Sequence, residues 1–110
     1  MDVWEDSLEL VKEVYLISEI LPKKEDYILV SQMRRAALSV PANIAEGFSR
    51  YSQKEKIRFL EIARSSLVEL DTHFEVCLDL EYLSKENLKK LDESLNKIFA
   101  KLTNLMKSLR

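Results

Sequence analysis

At 110 residues and a formal net charge of −2, the chain has room for one domain with one modest core, and it lacks the basic excess that would bind nucleic acid over the whole surface. A single glycine makes a glycine-rich phosphate loop impossible, one cysteine rules out an internal disulfide, and 33% charged residues with only two prolines favour long helices over sheet. The acidic start Met1-Asp2-Val3-Trp4-Glu5-Asp6 lacks the pattern of a signal peptide and no run approaches a membrane span, so a reducing cytoplasm is expected and no membrane contact.

The first helix is predicted over roughly residues 3 to 20. Trp4, Leu8, Val11 and Tyr15 make one apolar seam, and Val3, Leu10, Val14 and Ile17 a second beside it. Together they cover a wider arc than a surface helix needs, so the excess calls for a partner. Leu21-Pro22 ends the helix, because the residue before proline is pushed out of the α region. After the polar connection Lys23-Lys24-Glu25-Asp26, a second helix begins between Asp26 and Ser31, either of which could cap it.

Residues 32 to 50, QMRRAALSVPANIAEGFSR, hold the least ordinary residue choice in the chain. On a helical wheel Met33, Ala36, Ala37, Val40, Ile44 and Gly47 share one face, while Arg35, Ser39, Ala42, Glu46 and Arg50 share the other. Pro41 removes a donor from the carbonyl of Ala37 and pushes on that turn. A helix ending there would be capped by Val40, which has no side-chain acceptor, so a continuous helix kinked at Pro41 is preferred.

Past Phe48-Ser49-Arg50-Tyr51, Ser52 and Glu55 have the spacing of a capping box that opens the third helix. Ile57, Leu60, Ala63, Leu67, Leu70, Phe74 and Cys77 alternate by three and four, a bundle-core seam in which Cys77 is a small buried hydrophobe. A second seam, Phe59, Ile62, Ser66, Glu69, His73, Val76 and Leu80, is apolar at its ends and polar in its middle, as an inter-subunit contact would be. After Tyr82-Leu83, Ser84 is the expected cap of the fourth helix, with Glu86 in its first turn. Leu88, Leu91, Leu95, Ile98, Leu102, Leu105 and Leu109 then repeat without a miss. Lys90, Lys97 and Lys101 share the outward face, where Glu93 can pair with Lys97. They serve as a solvated face, with a phosphate-binding stripe as the alternative. The fold expected is thus all-α: one domain over residues 1–110, an antiparallel up-down-up-down four-helix bundle with helix 2 kinked at Pro41, assembling as a homo-oligomer.

Gln32, Arg34-Arg35-Ala36-Ala37, Ser39-Val40-Pro41, Asn43-Ile44-Ala45-Glu46-Gly47 and Arg50 carry a resemblance to a known family. With Phe59-Leu60, Ile62-Ala63, Ser66-Leu67, Glu69-Leu70 and Tyr82-Leu83 they cover most of the chain in that family's order. The chain resembles the four-helix-bundle proteins encoded in 23S rRNA intervening sequences. Glu81 and Ser49 stand where relatives often carry glycine, a departure that bears on loop geometry. The resemblance implies a homopentamer of up-down-up-down bundles without established enzymatic activity. A related protein, the accessory protein of diversity-generating retroelements, is a basic pentamer that binds nucleic acid and a reverse transcriptase.

Charge is unevenly distributed. Residues 1–26 carry eight acids and three bases (−5), residues 34–64 three and seven (+4), residues 65–86 six and one (−5), and residues 87–110 two and six (+4). Such alternation suits neighbour packing within a bundle. A carboxylate-bridged di-metal centre would need Glu-x-x-His units, but the one histidine, His73, follows Leu70 at that spacing, so no metal or cofactor is expected. Arg64 lies too far before His73 for the arginine–histidine motif of HEPN-type helical ribonucleases. No enzyme is expected. The one convergent set is polar: Arg35, Ser39, Asn43, Glu46 and Arg50, joined by Ile62, Ser66, His73 and Val76 of the second helix-3 seam. It is expected as a hydrogen-bonded network or a subunit interface, and Arg34, Arg35, Arg50 and Lys54 as the alternative surface for RNA or DNA phosphates. The function expected is a non-enzymatic homo-oligomeric accessory module for nucleic acid or a ribonucleoprotein, pentameric as the resemblance implies, with a protein-binding scaffold as the alternative.

Overall fold

The computed structural model describes residues 2–110, so Met1 of the acidic start lies outside the described residues. Four helices form: α1 (Asp2–Ser18), α2 (Ser31–Phe48), α3 (Gln53–Asp79) and α4 (Lys85–Ser108), with no strand among the described residues. Each helix packs on its sequence neighbour, and α4 returns to α1, which closes an antiparallel bundle measuring 44 × 24 × 20 Å. The α2–α3 contact is the most extensive.

The buried faces follow from residue spacing. Met33, Ala36, Ala37, Val40, Ile44 and Gly47 of α2 are all buried, as is Pro41, and α2 runs through Pro41 as one helix. A methyl at Gly47 would sit 3.2 Å from the backbone oxygen of Lys56, so the absence of a side chain lets α3 come this close. Leu60, Ala63, Leu67, Leu70, Phe74 and Cys77 face α2 and the interior. There the Cys77 thiol reaches the Met33 sulfur at 3.8 Å, and burial, reinforced by the Glu25 charge, pushes the thiol pKa up to about 11.

Several details differ from the sequence expectation. In α1 the core takes the second seam, Val3, Leu10 and Val14, together with Ser7 and Ser18; Leu8 and Tyr15 of the first remain partly exposed. The α-helix ends at Ser18, and three bonds of the tighter i→i−3 kind carry the chain on to Leu21. Neither Asp26 nor Ser31 caps the second helix. A short turn, Lys23–Glu25, leads into a widened π-helical turn, Asp26–Val30, which runs straight into α2. In α4 the seam reaches Leu102 as expected and then steps to Met106, leaving Leu105 and Leu109 partly exposed. A straight helix of 3.6 residues per turn drifts against a strict seven-residue repeat, and by the last turn the next residue points inward. Ser52 accepts the Glu55 amide at 3.1 Å, but the Glu55 carboxylate bonds Arg58 instead of closing the box. The reciprocal box forms at α4, between Ser84 and Asn87.

The α3–α4 corner explains one of the two missing glycines. Tyr82 N–H donates to the Cys77 carbonyl at 2.9 Å and Glu81 N–H to that of Leu78 at 3.0 Å, the bond pair of a Schellman ending. That motif puts its C′ residue in the left-handed region, and Glu81 sits there with φ 61°. Ser49, with φ −84°, has ordinary right-handed geometry and needs no glycine. The corner is tied down by the Tyr82 hydroxyl, which donates to Glu25 at 2.7 Å across the end of the bundle.

Glu81→Gly is expected to stabilise the protein. Relief of left-handed strain, roughly 1–2 kcal/mol, exceeds the added freedom of glycine in the unfolded chain, roughly 0.4–1 kcal/mol. Urea denaturation should show a gain of about 0.5–1 kcal/mol, and Ser49→Gly should show none.

Candidate functional site

The polar strip resolves into separate local groups. Ser66 is nearly buried on α3, and its hydroxyl lies 2.8 Å from Ser39 Oγ of α2 and 3.1 Å from the Ile62 carbonyl. Asn43 Nδ2 donates to Ser39 Oγ at 2.9 Å and to the Ser39 carbonyl at 2.8 Å. These bonds satisfy the groups within the α2–α3 joint. One turn on, Arg50 pairs with Glu46 at 2.7 Å, both partners exposed. On the outer seam of α3, His73 meets Glu69 at 3.2 Å between Ile62 and Val76, each 37% exposed.

The four basic residues named from the sequence do not form one patch. Arg34 is used structurally: its Nε donates to Ser18 Oγ at 3.0 Å, and its guanidinium lies 4.5 Å from the Tyr15 ring centroid, joining α2 to α1. Arg35 is exposed and lines an open groove of about 450 Å³ with Tyr15, Asp26 and Leu38. Arg50 and Lys54 stand at the other end of α2, about 22 Å from Arg35 at ~1.5 Å rise per residue.

Around that second end the structure gathers residues the sequence reading passed over. Arg58 joins Arg50, and both guanidiniums lie 4.7 Å from the Phe59 ring centroid. Lys56 Nζ is 3.5 Å from the Phe48 carbonyl, at the C-terminal end of α2 where a cation is favoured. Tyr51, in the turn between α2 and α3, is fully exposed. The i, i+4 spacing of Lys54 and Arg58 on α3, just after Arg50 in the turn, was the signal available in the sequence.

The lysines of α4 require a correction. Lys90 and Lys97 are exposed, as a solvated face requires, but that face borders α1 and Glu93 does not hold Lys97. Lys97 and Lys101 reach Asp6 at 3.5 and 2.6 Å, and Lys90 reaches Glu13 at 3.1 Å. Glu13 is almost fully buried and also accepts from Ser94 at 3.1 Å; its other oxygen faces Lys90 as an ion pair without an aligned hydrogen bond. Two acids of α1 thus pair with all three lysines of the stripe. Asp92, by contrast, stands on the opposite flank of α4 among like charges. Burial, then Asp71 and Glu75, push its carboxyl above the ordinary range. The Lys101 hydrogen bond, aided by the charges of Lys101 and Lys97, holds Asp6 below that range against a smaller opposing effect of burial. Among the described residues no cluster of His, Cys, Asp and Glu is placed to hold a metal ion, and no helix is long and apolar enough to cross a membrane.

These two aspartates give stability opposite dependences on pH. The folded state favours ionised Asp6, so its contribution is present above the ordinary value of 3.8 and is lost as pH falls through the lower folded value. For Asp92 the folded state disfavours the charge, so stability is lost as pH rises toward neutrality. At pH 7, Asp6→Asn should lower stability by on the order of 1 kcal/mol and Asp92→Asn should raise it by a few tenths. Both differences should shrink toward zero in urea titrations carried down to pH 3.

A family model described as 23S rRNA-intervening sequence protein matches residues 1–104. Among solved structures, the chain is similar to a protein with unknown function from the S23 ribosomal protein family of Bacteroides thetaiotaomicron VPI-5482. The two are 24% identical, with a TM-score of 0.88 over 96% of this chain and 98% of that one, a likeness that speaks to the fold. No curated protein sequence matches.

Proposed function

We propose that this chain, which belongs to the 23S rRNA-intervening sequence protein family, is a non-catalytic homo-oligomeric module that binds nucleic acid at the corner between α2 and α3. One observation carries this reading: the two basic halves of the chain are used differently. Lys90, Lys97 and Lys101 of α4 pair with Asp6 and Glu13 of α1, whereas at the α2–α3 corner the arginine pairs are local and exposed. Lys54 and Lys56 have no carboxylate partner among the described residues. Exposed pairs of this kind contribute roughly 0–1 kcal/mol each, so phosphate oxygens can replace Glu46 and Glu55 at little cost. Arg50, Lys54 and Arg58 are then the phosphate contacts, and Arg35 is a separate one at the far end of α2.

Self-association is supported by the outer seam of α3, where Ile62, Val76 and Leu80 leave apolar surface in water around His73 and Glu69. A ring of copies covers that seam and repeats the basic corner by symmetry, so a subunit of net charge −2 still presents clustered positive charge. The pentameric number comes from the family resemblance.

Light scattering should give a multiple of the 12.9 kDa subunit mass, and Ile62→Glu with Val76→Glu should give the subunit mass with helical content retained. A wild-type protein that scatters as a monomer at micromolar concentration refutes the assembly. Oligonucleotide binding should weaken with salt, with a log–log slope of about −2 for three phosphate contacts to a single strand. Reversing Arg50, Lys54 and Arg58 to glutamate should abolish it. A partner retained unchanged by that variant and insensitive to salt would favour the protein scaffold.

A further inference from the structure

Tyr51 has no structural reason to be a tyrosine. Its side chain is as exposed as that of an unfolded residue, at 102% relative accessibility, in the turn between α2 and α3. The hydroxyls beside it are occupied with the turn itself: Ser49 Oγ donates to the Glu46 carbonyl at 2.7 Å, and Ser52 Oγ accepts from Glu55. Arg50 precedes it in the chain, and Lys54, Lys56 and Arg58 follow on the first turns of α3. Two of these cations are held against Phe59 and so keep a defined place beside the turn.

We infer that Tyr51 is a stacking platform for an unpaired base, so that the corner takes single-stranded RNA or DNA in preference to a duplex. The inference rests on the nucleic-acid reading above and adds to it the class of strand. Phosphate contacts alone do not separate the two, since both present the same charged groups. An exposed aromatic ring among cations does, because only an unpaired base can leave its neighbours and lie on the ring while the backbone runs past the basic side chains. Tyr27 provides a comparison within the same chain. It is 95% exposed, but the groove it lines balances Lys23 and Arg34 against Glu19 and Asp26, so that groove has no net positive charge to bring a strand to it.

The test is fluorescence anisotropy with a labelled 15-nucleotide strand, as RNA and as DNA, alone and annealed to its complement. It uses the full chain and its Tyr51→Ala, Tyr51→Phe, Tyr27→Ala and Arg50/Lys54/Arg58→Glu variants. Wild type should bind the single strand more tightly than the duplex. Tyr51→Ala should weaken single-strand binding about tenfold and leave duplex binding unchanged, Tyr51→Phe should bind as wild type, and Tyr27→Ala should have no effect. Equal RNA and DNA affinities assign recognition to base and phosphate; a preference for RNA adds the 2′-hydroxyl. If Tyr51→Ala changes neither substrate, or both equally, while the charge reversal abolishes binding, the stacking role is wrong and the nucleic-acid reading stands. If the wild-type chain binds no oligonucleotide, both fall and the exposed ring belongs to a protein contact.

Discussion

The close approach of α2 and α3 is the constraint on which most of the structure depends. Gly47 leaves the Lys56 carbonyl no room for even a methyl group without a shift. Ala36, Ala37 and Ala63 keep the rest of the joint thin, and at that separation two serine hydroxyls and an asparagine amide can meet directly between the helices. The same closeness keeps the connecting turn to Ser49–Ser52. The last residues of α2 and the first of α3 therefore converge, and Arg50 and Arg58 arrive at one phenylalanine ring. The basic corner is a by-product of helix packing, set by a glycine that carries no chemistry of its own.

Charge is handled differently on the two sides of the bundle. Between α1 and α4 it holds helices together: Asp6 and Glu13 draw in three lysines, and one of the carboxylates is itself nearly buried. Removing a lysine there would leave a shielded anion short of a partner, which is costlier than losing a surface pair. At the α2–α3 corner the pairs are short-range, exposed and dispensable. Net charge, the quantity most readily taken from a sequence, averages over these two regimes and describes neither.

Much of the fold was legible in the residues. The seams of α2 and α3, the α3 cap at Ser52 and the four-helix count follow from periodicity and side-chain chemistry, which are local properties. The failures share a cause, because each depends on where a neighbouring helix lies. The lysines of α4 form an outward stripe, but the acids of the adjoining α1, and not Glu93, are the ones that pair with them. Leu105 yields to Met106 because drift accumulates over a long straight helix. The widened turn at Asp26–Val30 obeys no capping signal, since the preceding turn feeds it directly. At the candidate site the sequence named Arg50 and Lys54, which lie at the α2–α3 turn. It also grouped them with Arg34 and Arg35, which lie at the far end of α2, and it passed over Tyr51 because a lone tyrosine in a turn has no pattern.

The sulfur pair at the end of the α2–α3 joint away from the basic corner has a use of its own. Cys77 is buried and its pKa is raised to about 11, so near pH 8 only about one thiol in a thousand would be ionised even if reagent could reach it. Alkylation of the native protein must therefore wait for α2 to lift from α3. The chain carries an internal clock for that opening, in which each modified Cys77 records a parting of α2 and α3 at the end away from the basic corner.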